Sequence, residues 1–283
     1  MRRLYKRLFC LCCSAVLAII LLPLPTAAGS QVLSCTEIPL YSGSDYLGCG
    51  LLLDGVTYVP LLTFAQRMLG QSCATEWDQE SRAVRISADG FELSLCLGQR
   101  YMTVNGRCLY LEEGAYNING TILVPIRELA KVFSLGVEWI DADWSVLLDD
   151  SRQALFAPGE EFYNADDLYW LSRVIFSEAG TQPMAGMIGV GNVVLNRLHD
   201  EYGRFGSSVA EVVFQPGQFD VVNNGTIYNL PSEDALVAAK LCLEGYNTVG
   251  DSKWFLNPSI GISTWMWTHK TLHCSIADHE FYS

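Results

Sequence analysis

Histidine is scarce in this sequence. Four occur in 283 residues, and none precedes His199. The first two thirds of the chain therefore hold no imidazole for a copper or zinc site. Basic residues are also few, 18 against 31 acids, for a formal charge of −13. A body this acidic repels nucleic acid and anionic membranes, which argues against both as partners. No CxxC spacing occurs among the cysteines beyond residue 28 (Cys35, Cys49, Cys73, Cys96, Cys108, Cys242, Cys274), so a thiolate zinc site is not expected. In an exported chain the expectation for them is a few small buried thiols with one or two disulfides, and an odd count leaves at least one unpaired. What the chain has in quantity is apolar side chains. Half its residues are hydrophobic and only 17% are charged, enough for two modest folded domains.

One apolar run stands apart at the start. "MRRLYKRLF" is basic, "LCCSAVLAIILLPL" is apolar, and "PTAA" offers small residues for cleavage. That is the three-part layout of a secretory signal over residues 1–28; a retained membrane anchor is the competing reading. Either places the bulk of the protein outside the cytoplasm. Losing Arg2, Arg3, Lys6 and Arg7 with the signal would move the formal charge from −13 to −17.

The first half repeats itself. "DGVTYVPLLTFAQRMLG" (54–70) aligns with "NGTILVPIRELAKVFSLG" (119–136). Each begins with a turn dipeptide, runs as a short strand to Val–Pro, continues as a helix and stops at a glycine. Proline at the first helical position and glycine just past the last are the expected punctuation. Tryptophan-bearing strands follow each helix, so the unit reads strand, helix, strand, strand, written twice. Between the copies, "FELSLCLGQRYMTVNGRCLYL" (91–111) alternates like strands around the hairpin signal Asn105–Gly106. The recurring "G…LVPIRELA…LGVEW" pattern resembles the copper amine oxidase N-terminal-like domain. Despite that name nothing suggests copper, and a structural or wall-associating module is the inference. This domain is expected over 35–150, with a polar linker carrying Pro158–Gly159 over 151–164.

Residues 165–283 are helix-rich at first, with helices expected at 167–178, 184–200, 207–214 and 232–245, the last capped by Ser232. The final forty residues turn aromatic and β-like. The whole reads as a two-domain α+β protein.

Within this half, "LYWLSRVIFSEAG" (168–180) sets Leu168, Leu171, Ile175 and Glu178 along one helical face. An apolar stripe that ends in a carboxylate is unusual. Burial and the negative end of the helix dipole both disfavour the anion and raise its pKa. A carboxyl group still protonated at neutral pH is what general-acid cleavage of a glycosidic bond needs. The competing reading is an ordinary helix-end glutamate, half exposed or paired with Arg173 or Arg197. The next helix carries Gly186, Gly189 and Gly191, each costing roughly 0.5–1 kcal/mol relative to alanine. Such a cost points to close approach, by a neighbouring element or by substrate.

"WLSRVIFSEAGTQPMAGMIGVGNVVLNRL" (170–198) resembles the SleB/CwlJ-type cell wall hydrolases, the spore-cortex-lytic family. "VVFQPGQFDVV" (212–222), "PSEDALVAAKLCLEGYNT" (231–248), "WFLNP" (254–258) and "HEFY" (279–282) extend the likeness in order. The resemblance implies a compact relative of lysozyme-like transglycosylases that cleaves peptidoglycan glycan strands, with Glu178 as the catalytic acid and no cofactor or metal. The family's "RGEP" is "GTQP" here, so Gln182 stands at an acidic position and the preceding arginine is missing. This suits a single-carboxylate transglycosylase scheme better than a two-carboxylate hydrolase. Gln182, Gln218, Tyr228, Asn257, Trp265, Trp267 and His279 are the expected substrate-binding residues. Trp265 and Trp267, read as strand residues, would face opposite sides, one lining the sugar site and one entering the core. Partners implied are the glycan strands and a cell-wall or spore-coat protein. Two rivals remain. "HKTLH" (269–273) would supply zinc to an amidase if helical, and a weakened domain would bind wall glycan without cutting it.

Overall fold

The computed structural model describes residues 36–70, 73–151, 154, 156–261 and 263–283. The expected signal at 1–28 and Cys35 lie outside the described residues. Strands β1 (Thr36–Ser42), β2 (Asp45–Leu53) and β3 (Val56–Pro60) lead into helix α1 (Leu61–Leu69), then β4 (Ala74–Asp78) and β5 (Ala83–Ala88). Next come β6 (Phe91–Cys96), β7 (Tyr101–Val104), β8 (Arg107–Tyr110) and β9 (Tyr116–Ile118). Strand β10 (Thr121–Pro125), helix α2 (Ile126–Val132), β11 (Gly136–Ile140) and β12 (Ser145–Asp149) complete the strand-rich half.

The internal repeat is visible in the backbone. Both copies open on a two-residue turn with positive φ at each position, Asp54–Gly55 (48° and 84°) and Asn119–Gly120 (53° and 84°). Asp, Asn and Gly tolerate that geometry, which matches the twist of the strands it joins. Strands β3 and β10 pair antiparallel with Val59 opposite Val124, so the copies meet through equivalent residues about a local twofold. Trp77 lies opposite Val84 and Trp139 opposite Val146, the same register in both. The punctuation is less regular than its sequence. Pro60 and Pro125 cap α1 and α2 rather than opening them. Gly70 ends α1 with φ 89°, but Gly136 opens β11, and Ser134 (φ 55°) takes the left-handed position after α2.

A seven-stranded sheet, in the order β11-β12-β1-β2-β3-β10-β9, and a five-stranded sheet, β4 to β8 in sequence, share one core with the two helices. Phe64, Phe91 and Phe133 sit in it, with Phe91 stacked on Phe133 at 5.6 Å.

The second half holds α3 (Gly159–Phe162), α4 (Ala165–Ala179), α5 (Met184–Leu198), α6 (Val209–Phe214) and α7 (Asp220–Asn223). A 3-10 turn (Thr226–Tyr228), α8 (Glu233–Leu243), β13 (Trp254–Leu256), α9 (Thr264–His269), β14 (Leu272–Ile276) and β15 (His279–Tyr282) follow. The four expected helices appear as α4, α5, α6 and α8, and the Ser232 hydroxyl caps α8 by accepting from Ala235 N at 3.2 Å. The protein is α+β, strands first and helices after.

Helices α4, α5, α6 and α8 surround a second core, closed on one side by the sheet β13-β15-β14. The glycines of α5 answer to this packing. A Cβ on Gly189 would lie 2.7 Å from Phe281 Cζ, and one on Gly191 would lie 2.7 Å from Cys242 Sγ and 2.8 Å from Ile175 Cδ1. Side chains of the domain itself, not substrate, occupy the space.

The β7–β8 hairpin joins the halves. Buried Arg107 donates to both Glu244 oxygens at 2.8 and 2.7 Å, and Tyr163 OH donates to the same carboxylate at 2.8 Å. The Arg107 guanidinium is sandwiched between Phe156 and Phe162, and Tyr110 stacks on Tyr246 at 3.5 Å. The six described cysteines (Cys49, Cys73, Cys96, Cys108, Cys242, Cys274) are all free thiols.

Candidate active site

Helix α4 is fixed at its start. Asn164 caps its start, accepting from Asp166 N at 3.0 Å and Asp167 N at 3.1 Å, and two acids follow in the first turn. Leu171 and Ile175 are fully buried and Leu168 partly so. One turn on, Glu178 continues the stripe as a half-buried carboxyl group. It makes no hydrogen bond or ion pair among the described residues. Burial is the main reason its pKa is pushed up to about 7; the nearby Asp220 carboxylate adds to the rise and Arg197 opposes it without prevailing.

Arg197, near the end of α5, is buried. Its Nε donates to the Lys253 carbonyl at 2.7 Å, and its charge faces the Phe219 and Phe205 rings at 5.0 and 5.4 Å. Burial lowers its pKa to about 10, so it remains a cation at neutral pH. One buried guanidinium nitrogen, Nη1, makes no hydrogen bond among the described residues. Lys253 is fixed in turn by Asp200, whose carboxylate accepts from Lys253 Nζ at 2.7 Å and from Arg204 at 2.6 and 2.8 Å. Two asparagines of α5 complete the frame. Asn192 donates to the Tyr246 carbonyl and accepts from Thr248 N, both at 2.9 Å, and Asn196 donates to the Gly250 and Ser252 carbonyls. The C-terminal half of α5 is thus a polar clamp on the loop 246–253.

The structure brings Glu178, Arg197 and Asp220 into electrostatic contact. Of the sequence-predicted substrate residues, Gln218 stands two positions before Asp220, with a side-chain amide that makes no hydrogen bond among the described residues. Tyr228 is 63% exposed on the 3-10 turn, which is tied to the end of α4 because Ser177 Oγ donates to the Thr226 carbonyl at 3.0 Å. Gln182 is engaged elsewhere: its amide donates to Asp278 at 3.0 Å and accepts from Asp278 N at 3.2 Å, anchoring the β14–β15 hairpin. Asn257 folds its own turn, its side chain accepting from Ser259 N at 2.9 Å.

Three expectations need correction. Trp265 and Trp267 lie on helix α9, not on a strand, and neither enters the core; they are 53% and 47% exposed. Trp265 stacks on His269, and Lys270 sits over Trp254 and near Trp265. His279 is only 5% exposed, packed between Phe255 and Phe281 with burial lowering its pKa, so it supports the sheet rather than reaching out to a sugar. The pair in "HKTLH" is broken: His269 ends α9 and His273 lies on β14, so the i, i+4 zinc geometry does not form. No group of three His, Cys, Asp or Glu suited to a metal occurs among the described residues. Sequence reasoning named Arg197 only as a partner in the competing reading and left Asp220 out of the site. Both lie inside the motifs "VVLNRL" and "QFDVV", but only the fold shows that the two segments converge on Glu178.

Comparison with known proteins finds two family matches along the chain. Residues 181–282 match the family described as Cell Wall Hydrolase, and residues 50–148 match the Copper amine oxidase N-terminal domain. The chain thus carries a cell wall hydrolase domain preceded by a copper amine oxidase N-terminal-like domain. With no histidine before His199, the latter has no imidazole to offer copper. The relatives are more specific. A spore cortex-lytic enzyme of Bacillus cereus is 29% identical over 119 residues, covering 42% of this chain and 45% of that protein. Its counterpart from Halalkalibacterium halodurans is 32% identical over 119 residues, 42% of this chain and 35% of that one. The chain therefore spans less than half the length of these relatives. A solved structure, described as the catalytic domain of the germination-specific lytic transglycosylase SleB from Bacillus anthracis, is 28% identical and covers 45% of this chain and all of that one, with a TM-score of 0.40.

Proposed function

We propose that residues 165–283 cleave the glycan strands of peptidoglycan outside the cytoplasm, in cell wall or spore cortex, with Glu178 as the single group that gives and then takes a proton. The observation that carries this reading is the state of that carboxyl group: half buried, free of hydrogen bonds among the described residues, and held near pKa 7. The names of the cell wall hydrolase family and of the spore cortex-lytic relatives support the substrate class.

In this scheme protonated Glu178 donates to the glycosidic oxygen as the bond to the muramic acid anomeric carbon breaks. Positive charge develops on the sugar while Glu178 becomes a carboxylate, and the Arg197 cation beside it stabilises that anion. The carboxylate then removes the proton of the C6 hydroxyl, whose oxygen closes on the anomeric carbon. Glu178 is protonated again, no water is consumed, and the product ends in a 1,6-anhydro sugar. A second reading rests on Asp220. A hydrolase needs a second carboxylate to activate water or to form a covalent intermediate, and Asp220 is near enough to raise the pKa of Glu178. Exposed Tyr228 and the unengaged amide of Gln218 are the best placed of the substrate-binding candidates.

The test uses purified peptidoglycan and the full chain. Glu178→Gln should abolish glycan cleavage with an unchanged circular dichroism spectrum, and a chelator should leave the native activity intact. Turnover by the Gln variant, or release of stem peptides in place of glycan fragments, would refute the reading. Asp220→Asn separates the schemes: a single-carboxylate enzyme keeps turning over, whereas a two-carboxylate hydrolase stops.

A further inference from the structure

Two clefts in the strand-rich module are one site written twice. The first, about 580 Å³, is lined by Trp139, Asp141 and Trp144 from the β11–β12 hairpin, by Arg127 and Glu128 at the start of α2, and by Val56 from the other copy. The second, about 620 Å³, is lined by Trp77, Gln79 and Arg82 from the β4–β5 hairpin, by Leu62 and Thr63 at the start of α1, and by Thr121 from the other copy. Position for position these are equivalent residues of the repeat. The exchange between copies follows from the register: β3 and β10 run antiparallel about Val59 and Val124, so each strand begins beside the helix that follows the other. Neither cleft includes Glu178.

Both clefts keep the same device. Trp77 Nε1 donates to Gln79 Oε1 at 2.9 Å, and Trp139 Nε1 donates to Asp141 Oδ1 at 2.7 Å. Each tie fixes the orientation of an indole at the mouth of a cleft, and both clefts fall in the size range of small-molecule sites. Trp77 stays 40% exposed, and Trp144, edge-on to Trp139, 60%. An oriented aromatic face beside a carboxylate or amide oxygen suits a pyranose, which offers an apolar C–H face and hydroxyl donors.

Charge then narrows the ligand. The Trp139 cleft carries Glu112, Glu113, Glu128 and Asp141 against Arg127 alone, whereas the Trp77 cleft carries only Arg82. An anion is repelled from the first and a cation from the second. What the two share is neutral. We infer that the duplicated clefts are two binding sites for the uncharged sugar units of a glycan, so that the strand-rich module grips the polymer that the helical domain cuts. The identity of that polymer as an N-acetylated amino-sugar chain rests on the function proposed above. The Arg107–Glu244 pair holds the gripping module on the cutting domain.

The full chain carrying Glu178→Gln, labelled with 15N at tryptophan indoles, is titrated with the hexamer of N-acetylglucosamine. The Nε1–H signals of Trp77 and Trp139 should shift and saturate. Trp139→Ala should remove its own signal and leave the Trp77 curve unchanged. Gln79→Ala, which keeps the indole, should weaken binding at the Trp77 cleft by about tenfold. Indoles at 77 and 139 that stay still while tryptophans of the helical domain respond would overturn the inference and leave the catalytic reading standing. Saturation at both clefts in a protein whose native form cuts no glycan would instead leave the clefts and remove the catalytic reading.

Discussion

Replacing Glu178 by glutamine should stabilise the protein at the pH where it destroys activity. The native fold holds this carboxyl group's pKa near 7 against an ordinary value of 4.5. Between those two pH values the native state keeps a proton that the unfolded chain has lost, so stability falls as pH rises through the window. Above it, the ionised group costs about 3 kcal/mol at full effect, and solvent contact at the half-buried site reduces this toward about 1–2 kcal/mol. Glutamine has no proton to lose. The assay is urea unfolding of native and Glu178→Gln proteins at pH 4 and pH 8, where shared groups cancel in the difference. The two should be nearly equal at pH 4, and the variant more stable at pH 8 with an unchanged m-value. A stability gap that ignores pH, or a native protein that is the more stable at pH 8, would refute the account of a desolvated, unpaired acid.

Further outcomes can be read from the same structure. Asp220→Asn removes a like charge, so the Glu178 pKa should fall and the basic limb of the pH–rate profile should move to lower pH. Gly191→Ala would gain roughly 1 kcal/mol of helix propensity, but its new methyl would meet Cys242 and Ile175 at 2.7 and 2.8 Å; a net loss of about 1–3 kcal/mol is expected in chemical denaturation. Arg107→Met leaves Glu244 buried without its bidentate partner and should cost about 3–5 kcal/mol, much of it recovered in the Arg107→Met/Glu244→Met double variant.

The sequence made the repeat legible because its turn dipeptides and Val–Pro steps are local features, and local sterics decide them. The helices of the second half were legible for the same reason: Ser232 caps one of them, and their apolar faces repeat at the helical spacing, although the cap at Asn164 starts α4 two residues before the expected 167. Where a feature depended on a distant neighbour, local reasoning failed. Trp265 and Trp267 looked like strand residues because aromatics favour strands, yet Ser263 caps a short helix there. His279 was expected at the substrate site from the motif "HEFY", but β15 turns it inward against Phe255. The rise in the pKa of Glu178 was foreseeable from an apolar stripe and a helix end. Of its two electrostatic neighbours, Arg197 stood only among the partners of the competing reading and Asp220 was not foreseen, because both reach it through tertiary packing. The paired clefts were hidden for a similar reason, since each borrows one edge from the other copy.

The most direct test of a single proton-carrying carboxyl group is the mass of the muropeptides released from purified cortex peptidoglycan by the native chain. Muramic acid ends lighter by one water, formed by native protein and not by Glu178→Gln, are the predicted result. Free reducing ends of full mass, or stem peptides parted from an uncut glycan, would contradict it.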